Sequence, residues 1–133
     1  AQGAAPGSNN TVTLGNSSIT TLRCAATTIT AISDRRDKKD IQPIPAGLNF
    51  IKELNPVAFK WATRDGKKLN TPEFGFIAQD LQQAQAVTKI IVPNLVLAEN
   101  PDRLEASPGT LIPILVKAIQ ELTAKVEALE ARC

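Results

Sequence analysis

Seven residues at the C-terminal end, Ile112, Leu115, Ile119, Leu122, Val126, Leu129 and Cys133, are spaced alternately three and four apart. That spacing draws one narrow apolar stripe along a helix. Ile112, Ile119, Val126 and Cys133 occupy the a positions of a heptad, and Leu115, Leu122 and Leu129 the d positions. Thr110 is placed to cap the helix, and Pro113 fits only in its first turn. A lone helix of this length is marginal in water, so the stripe needs a partner. Strict 3.5-residue spacing favours other copies of the same chain over a helix packed only on its own domain. β-Branched a and leucine d positions, taken alone, lean towards a parallel dimer.

The other end of the chain has a different character. Residues 1–33 are rich in Ala, Thr, Ser, Asn and Gly, and Arg23 is their only charge. The segments 11–14, 18–24 and 26–32 read as short strands, with a turn at Gly15-Asn16. They carry too little large apolar surface to fold alone. Thr-rich strands of this kind suit a fibre in which neighbouring chains complete each core, and such a fibre argues for three chains rather than two. The competing reading is a flexible linker with one edge strand. The opening AQGAAPGSNN lacks a basic region followed by an apolar core, so it is not read as a signal peptide. The chain is expected to be the tail end of a longer protein.

Residues 34–108 read as a small α+β unit, followed by the coiled-coil helix over 109–133. A helix over 47–54 places Leu48, Ile51 and Leu54 at helical spacing and stops at Asn55-Pro56. Residues 57–61 alternate, with Val57, Phe59 and Trp61 on one face of a half-buried strand. A hairpin turn is centred on Asp65-Gly66, and the returning strand is expected over 73–78. A short helix follows over 78–84. Residues 89–100 supply two more short strands interrupted by Pro93.

Composition removes much chemistry from consideration. With no histidine in the chain, Ser-His-Asp and Cys-His catalysis are excluded, as is an imidazole-based zinc site. Cys24 and Cys133 lie far apart and make neither a metal cluster nor a disulfide framework. No metal or cofactor is expected. A net charge of only +2 and five aromatic residues give little basis for binding nucleic acid. No apolar run is long enough to span a membrane.

The sharpest boundary is at Ser33. Behind it stand seven consecutive charged residues, Asp34 to Asp40. A serine hydroxyl is a weak nucleophile that needs a base, and without histidine a neutral lysine amine is the available one. Arg35 and Arg36 beside Lys38 favour the neutral amine; Asp37 and Asp40 oppose it. Residues five apart are about 140° out of phase on an α-helix, so Ser33 does not meet Lys38 in a continuous helix. Either the segment is bent or the pair forms between chains. On these residues alone the run reads more simply as a solvated helix start, with Ser33 as N-cap and Asp34 in the first turn.

The segment Ser33-Asp34-Arg35-Arg36-Asp37-Lys38 resembles the Ser-Asp-x-Arg-x-Lys motif of the C-terminal intramolecular chaperone domains of phage tail spikes and tail fibres, endosialidase type. Ile41 and Ile44, the block LNFIKELNPVAFKW (48–61), GFIAQDL (75–81) and LIPILVKAIQEL (111–122) follow in the same order as in that family. The resemblance covers residues 33 to about 130. It implies a homotrimer that holds three chains together while the upstream stem of the same chain folds, then cuts itself off. It implies Ser33-Asp34 as the bond cut, Ser33 as the catalytic residue and Lys38 as its base, with Lys39 as fallback. Arg36, at the motif's arginine, would stabilise an oxyanion or bind Asp34. It also implies that the stem part stays on the virion tail fibre, and that the released part is left in the host cytoplasm where assembly occurs. Ser33 attacking its own carbonyl closes a four-membered ring, whereas attack on the preceding carbonyl closes a five-membered one and would cut between Ile32 and Ser33. Two further readings are a trimeric cap that is never cut, and a receptor-binding tip using loops 62–73 and 94–108.

Overall fold

In a computed structural model the chain is described from Asn10 to Cys133; the opening stretch to Asn9, including most of the segment weighed as a signal peptide, lies outside the described residues. The chain divides into two compact units, residues up to Lys39 with Ala58–Glu73, and Asp40–Val57 with Phe74–Cys133.

The second unit contains the core. Helix α1 (Leu48–Ile51) is one turn long and continues as hydrogen-bonded turns to Leu54. It packs on α2 (Ala78–Thr88) and α3 (Ile112–Glu130). The interior is built from Ala46, Phe50, Leu81, Ala84, Val92, Leu95, Leu111 and Ile114. The helical spacing in the sequence marks Leu48, Ile51 and Leu54, yet Phe50 is the residue of this helix that is fully buried. Ile51 and Leu54 pack around that centre. Gly47, just before α1, lies against α3: a Cβ there would collide with Oε1 of the Glu121 carboxylate. The same oxygen accepts the amide of Leu48 at 2.9 Å, satisfying a free donor at the start of α1.

Helix α2 is longer than the 78–84 predicted, running to Thr88, and Lys89 closes it in the left-handed region at φ 60°. The two strands expected over 89–100 reduce to β3 (Val96–Leu97), antiparallel to β4 (Glu105–Ala106) with Val96 opposite Ala106. Residues 89–95 instead turn at Pro93-Asn94 and drop Val92 and Leu95 into the core. The Val92 amide donates to Gln85 Oε1 at 2.7 Å, a side-chain partner in place of a strand.

Helix α3 has Pro113 in its first turn as predicted, but Thr110 is not its cap. Thr110 lies in a preceding 3₁₀ turn (Pro108–Leu111), where its hydroxyl donates to the carbonyl of Ser107 at 2.8 Å. The helix carries two apolar faces. Leu111, just before it, with Ile114 and Ala118, is buried in the core. Ile112, Leu115, Ile119, Leu122, Val126 and Leu129 are 43–64% exposed. The heptad stripe therefore takes no part in the chain's own interior.

In the first unit, β1 (Val57–Ala62) and β2 (Leu69–Gly75) form a two-stranded sheet. Val57, Phe59 and Trp61 alternate with exposed neighbours, as the sequence predicts. The turn contains Gly66 at φ +75°. The returning strand begins at Leu69 rather than 73, because pairing starts as soon as Lys68 closes on Thr63 (3.0 Å). Residues 62–73 are therefore mostly hairpin, not open loop. Its inner face is held by Trp61: Phe59 packs edge-on at 5.2 Å, Lys68 Nζ lies 4.4 Å from the ring centre, and Nε1 donates to Glu73 at 3.0 Å.

Upstream, residues 10–33 contain the predicted turn at Gly15-Asn16 but none of the three predicted strands. Val12, Leu14, Ile19, Leu22, Ile29 and Ile32 are all exposed. A strand needs a neighbour for its backbone donors and acceptors, and this segment has no strand beside it in the single chain. The Ser17 hydroxyl donates to the Asp65 carboxylate at the hairpin tip. Together with the Lys67 amide and the Thr63 side chain, it holds the Asp65 carboxyl down to about 2.

Candidate functional site

The charged run does not form the α-helix that would part Ser33 from Lys38. It makes a single 3₁₀ turn over Arg35–Asp37. The cap is Asp34, not Ser33: its backbone is extended, and its carboxylate accepts the Arg36 amide at 2.8 Å. Two backbone bonds close the turn, Asp37 N to Asp34 O (3.0 Å) and Lys38 N to Arg35 O (3.1 Å). Lys38 is then extended at φ −126°, ψ 149°. Asp40, at φ 54°, bends the chain again.

This one-turn bend folds the two ends of the segment towards each other. Lys38 Nζ donates to Ser33 Oγ at 2.7 Å, within one chain. Of the two arrangements left open by the sequence, the bent segment is the one present. Because Asp34 does the capping, the Ser33 hydroxyl is not consumed by the turn. Lys39, the fallback base, is not the lysine that reaches it.

Arg36 is committed to Asp34. Its Nε donates to Oδ1 at 3.1 Å and its Nη2 to Oδ2 at 2.9 Å. The guanidinium side chain and then its backbone amide hold the Asp34 carboxyl below its usual value; the guanidinium is held above its own. Every residue from Ser33 to Asp40 is exposed, so no packing supports the arrangement. It depends on local hydrogen bonds and one ion pair.

The chemistry available is specific. A neutral Lys38 amine at this distance can accept the Ser33 hydroxyl proton along the line on which the ammonium now donates. Asp34, with both oxygens occupied by Arg36, is not free to do so. The role of Asp34 as cap is the feature that the sequence left unread. Ser33 and Asp34 are both good caps, and only the turn chosen decides between them.

Several of the remaining residues of the family resemblance serve the interior. Ile44 and Phe76 pack against the core, and Leu81, Leu111 and Ile114 are in it. Ile41 is exposed.

Residues 33–97 match the sequence profile of the family described as chaperone of endosialidase, classed by its name among peptidases. The chain is also 30% identical over 104 residues to the long tail fiber protein Gp37 of Enterobacteria phage K3. It is equally similar to the protein of that name from Enterobacteria phage T2. The aligned region is 75% of this chain but only 8% and 7% of those two proteins. No solved structure gives a significant match.

Proposed function

We propose that this chain, which through residues 33–97 belongs to the chaperone-of-endosialidase family, is a folding template for a phage tail fibre that cuts itself free at the Ser33-Asp34 bond. The observation that carries this reading is the 2.7 Å contact between Lys38 Nζ and Ser33 Oγ. The net reaction is hydrolysis of one peptide bond. Water supplies the oxygen that makes Ser33 a C-terminal carboxylate, and the Asp34 nitrogen leaves as an amine carrying the proton. Lys38 acts as base through the Ser33 hydroxyl, which takes the proton of the attacking water and passes its own to the Lys38 amine. The ammonium then returns a proton to the leaving nitrogen, and no four-membered ring is formed. The abrupt change of composition at Ser33 then marks the meeting of two products, a stem ending at Ser33 and a template beginning at Asp34.

The template function is supported by the free stripe on α3. Six large apolar side chains at heptad spacing lie outside the chain's own core, which suits association of three copies into a coiled coil. Residues 10–33, with exposed apolar side chains and no strand of their own, suit a stem whose β-structure needs neighbouring chains. Intertwined β-structure has mostly non-local contacts, so its unaided folding is slow and open to slips of register. Joining the C-termini first raises the effective concentration of the strands. Removing the template afterwards closes the route back and leaves a kinetically trapped fibre. The stem would belong to the virion tail and the released piece to the host cytoplasm.

The test is cutting of freshly synthesised chain followed on a denaturing gel. Wild type yields two fragments, Ser33→Ala none, and Lys38→Ala few or none. Cutting of Ser33→Ala at the wild-type rate would overturn the reading and leave an uncut trimeric cap.

A further inference from the structure

We infer that Asp34 and Arg36 are positioning residues for the cleavage: their ion pair builds the turn that returns Lys38 to Ser33. This rests on reading Ser33-Asp34 as the bond that is cut. Three donors of Arg36 converge on the Asp34 carboxylate, the amide at 2.8 Å, Nε at 3.1 Å and Nη2 at 2.9 Å. The first caps the 3₁₀ turn, and the other two hold the capping carboxylate in place. The turn is only three residues long and contains no buried residue. A single turn in water is not stable on its own backbone bonds. With no side chain packed beneath it, the pair is the principal tether that keeps positions 33 and 38 facing each other.

The fork geometry matters. Arginine grips a carboxylate through two parallel bonds, whereas lysine offers a point charge. Both side-chain bonds of Arg36 go to Asp34 and none to the Ser33 carbonyl, which argues against Arg36 as the oxyanion donor. Asp34 thus has two parts: its nitrogen leaves in the reaction, and its carboxylate shapes the turn. Arg36 touches neither the reacting carbonyl nor the Ser33 hydroxyl and acts through Asp34.

The experiment compares first-order cutting rates in the full chain for wild type, Arg36→Ala, Arg36→Lys, Asp34→Asn and the double variant Asp34→Asn with Arg36→Ala. Loss of the pair is expected to slow cutting by about 100-fold, the scale of a misplaced reacting group. Arg36→Lys should recover part of the rate. The double variant should be no slower than the slower single one, because both changes remove the same tether. The double variant removes one charge of each sign, so the midpoint of its pH–rate profile should stay at that of wild type while its rate falls. Thermal unfolding of each variant, followed through Trp61, separates a slow site from an unfolded chain. Wild-type rates in Arg36→Ala, with cutting still dependent on Ser33 and Lys38, would overturn this inference alone. Additive losses in the double variant would also overturn it, by placing Arg36 on the reacting carbonyl. Absence of cutting in wild type would overturn both this inference and the proposed function.

Discussion

Phe50, Leu81, Leu95 and Ile114 are at most 2% exposed, while Ile112, Ile119 and Leu129, on or beside the same helix, are more than half exposed. Both sets are large and apolar, and the buried Ile114 lies two residues from the exposed Ile112 on α3. The difference separates what one chain can satisfy from what it leaves for others. The interior around Phe50 closes without help. The stripe on α3 and the apolar residues upstream of Ser33 do not close in the single chain, and the proposed trimer is what would cover them. The charged turn over Asp34–Lys38 is exposed throughout and belongs to neither set.

The largest expected effect sharpens the first half of this contrast. Phe50→Ala should destabilise the chain by about 3–5 kcal/mol, because it empties a site with no exposed surface. Chemical denaturation measures it; a loss near zero would mean that the interior is not closed in the single chain. Leu122→Asp probes the other half. It should leave the unfolding midpoint of the isolated chain within about 0.5 kcal/mol of wild type, the usual range for an exposed position, while a trimer measured by light scattering falls to monomer. Unchanged trimers would remove the stripe as the driver of association.

A smaller readout tests register. Cys133 continues the stripe at an a position and is free and exposed. In a parallel in-register coiled coil, mild oxidation should join two of three chains through Cys133, seen as a dimer band on a non-reducing gel. Cross-links only through Cys24 would argue against that register.

Acid gives the smallest and most local effect. Among the described residues no polar or charged residue is buried, so mild acid has nothing in the core to protonate. The Asp34 carboxyl is depressed by Arg36. Its contribution to the turn is therefore present above the usual carboxylate range and lost as pH falls through the lower folded value. An NMR titration should show Asp34 and the Arg36 Nε proton moving together below that range, and Arg36→Ala should return Asp34 to it. A normal Asp34 titration in wild type would break the ion-pair description of the turn.

Much of this was legible in the sequence where period and chemistry coincide. The alternation of Val57, Phe59 and Trp61, the turn at Gly66 and the exposed stripe on α3 follow from spacing and turn chemistry; the second, buried face of α3 through Ile114 and Ala118 does not. The strands expected over 11–32 are absent from the single chain: suitable residues alone do not make a strand, whose backbone groups need a neighbouring strand to bond to. Residues 89–95 were misread as a strand because a β-branched run is equally content lining a core, here around Val92 and Leu95. At the site, the sequence supplied Ser33 and Lys38 but not the means of joining them. An i, i+5 pair is out of phase on an α-helix, and only a change of cap from Ser33 to Asp34 shortens the turn enough for contact.

The most direct measurement is the intact mass of both fragments from freshly synthesised chain under denaturing conditions, beside Ser33→Ala. Self-cleavage by the Ser33–Lys38 pair at the proposed bond predicts one fragment ending at Ser33 and one beginning at Asp34, both absent in the variant. Fragments meeting between Ile32 and Ser33, or one full-length species in both samples, would contradict it.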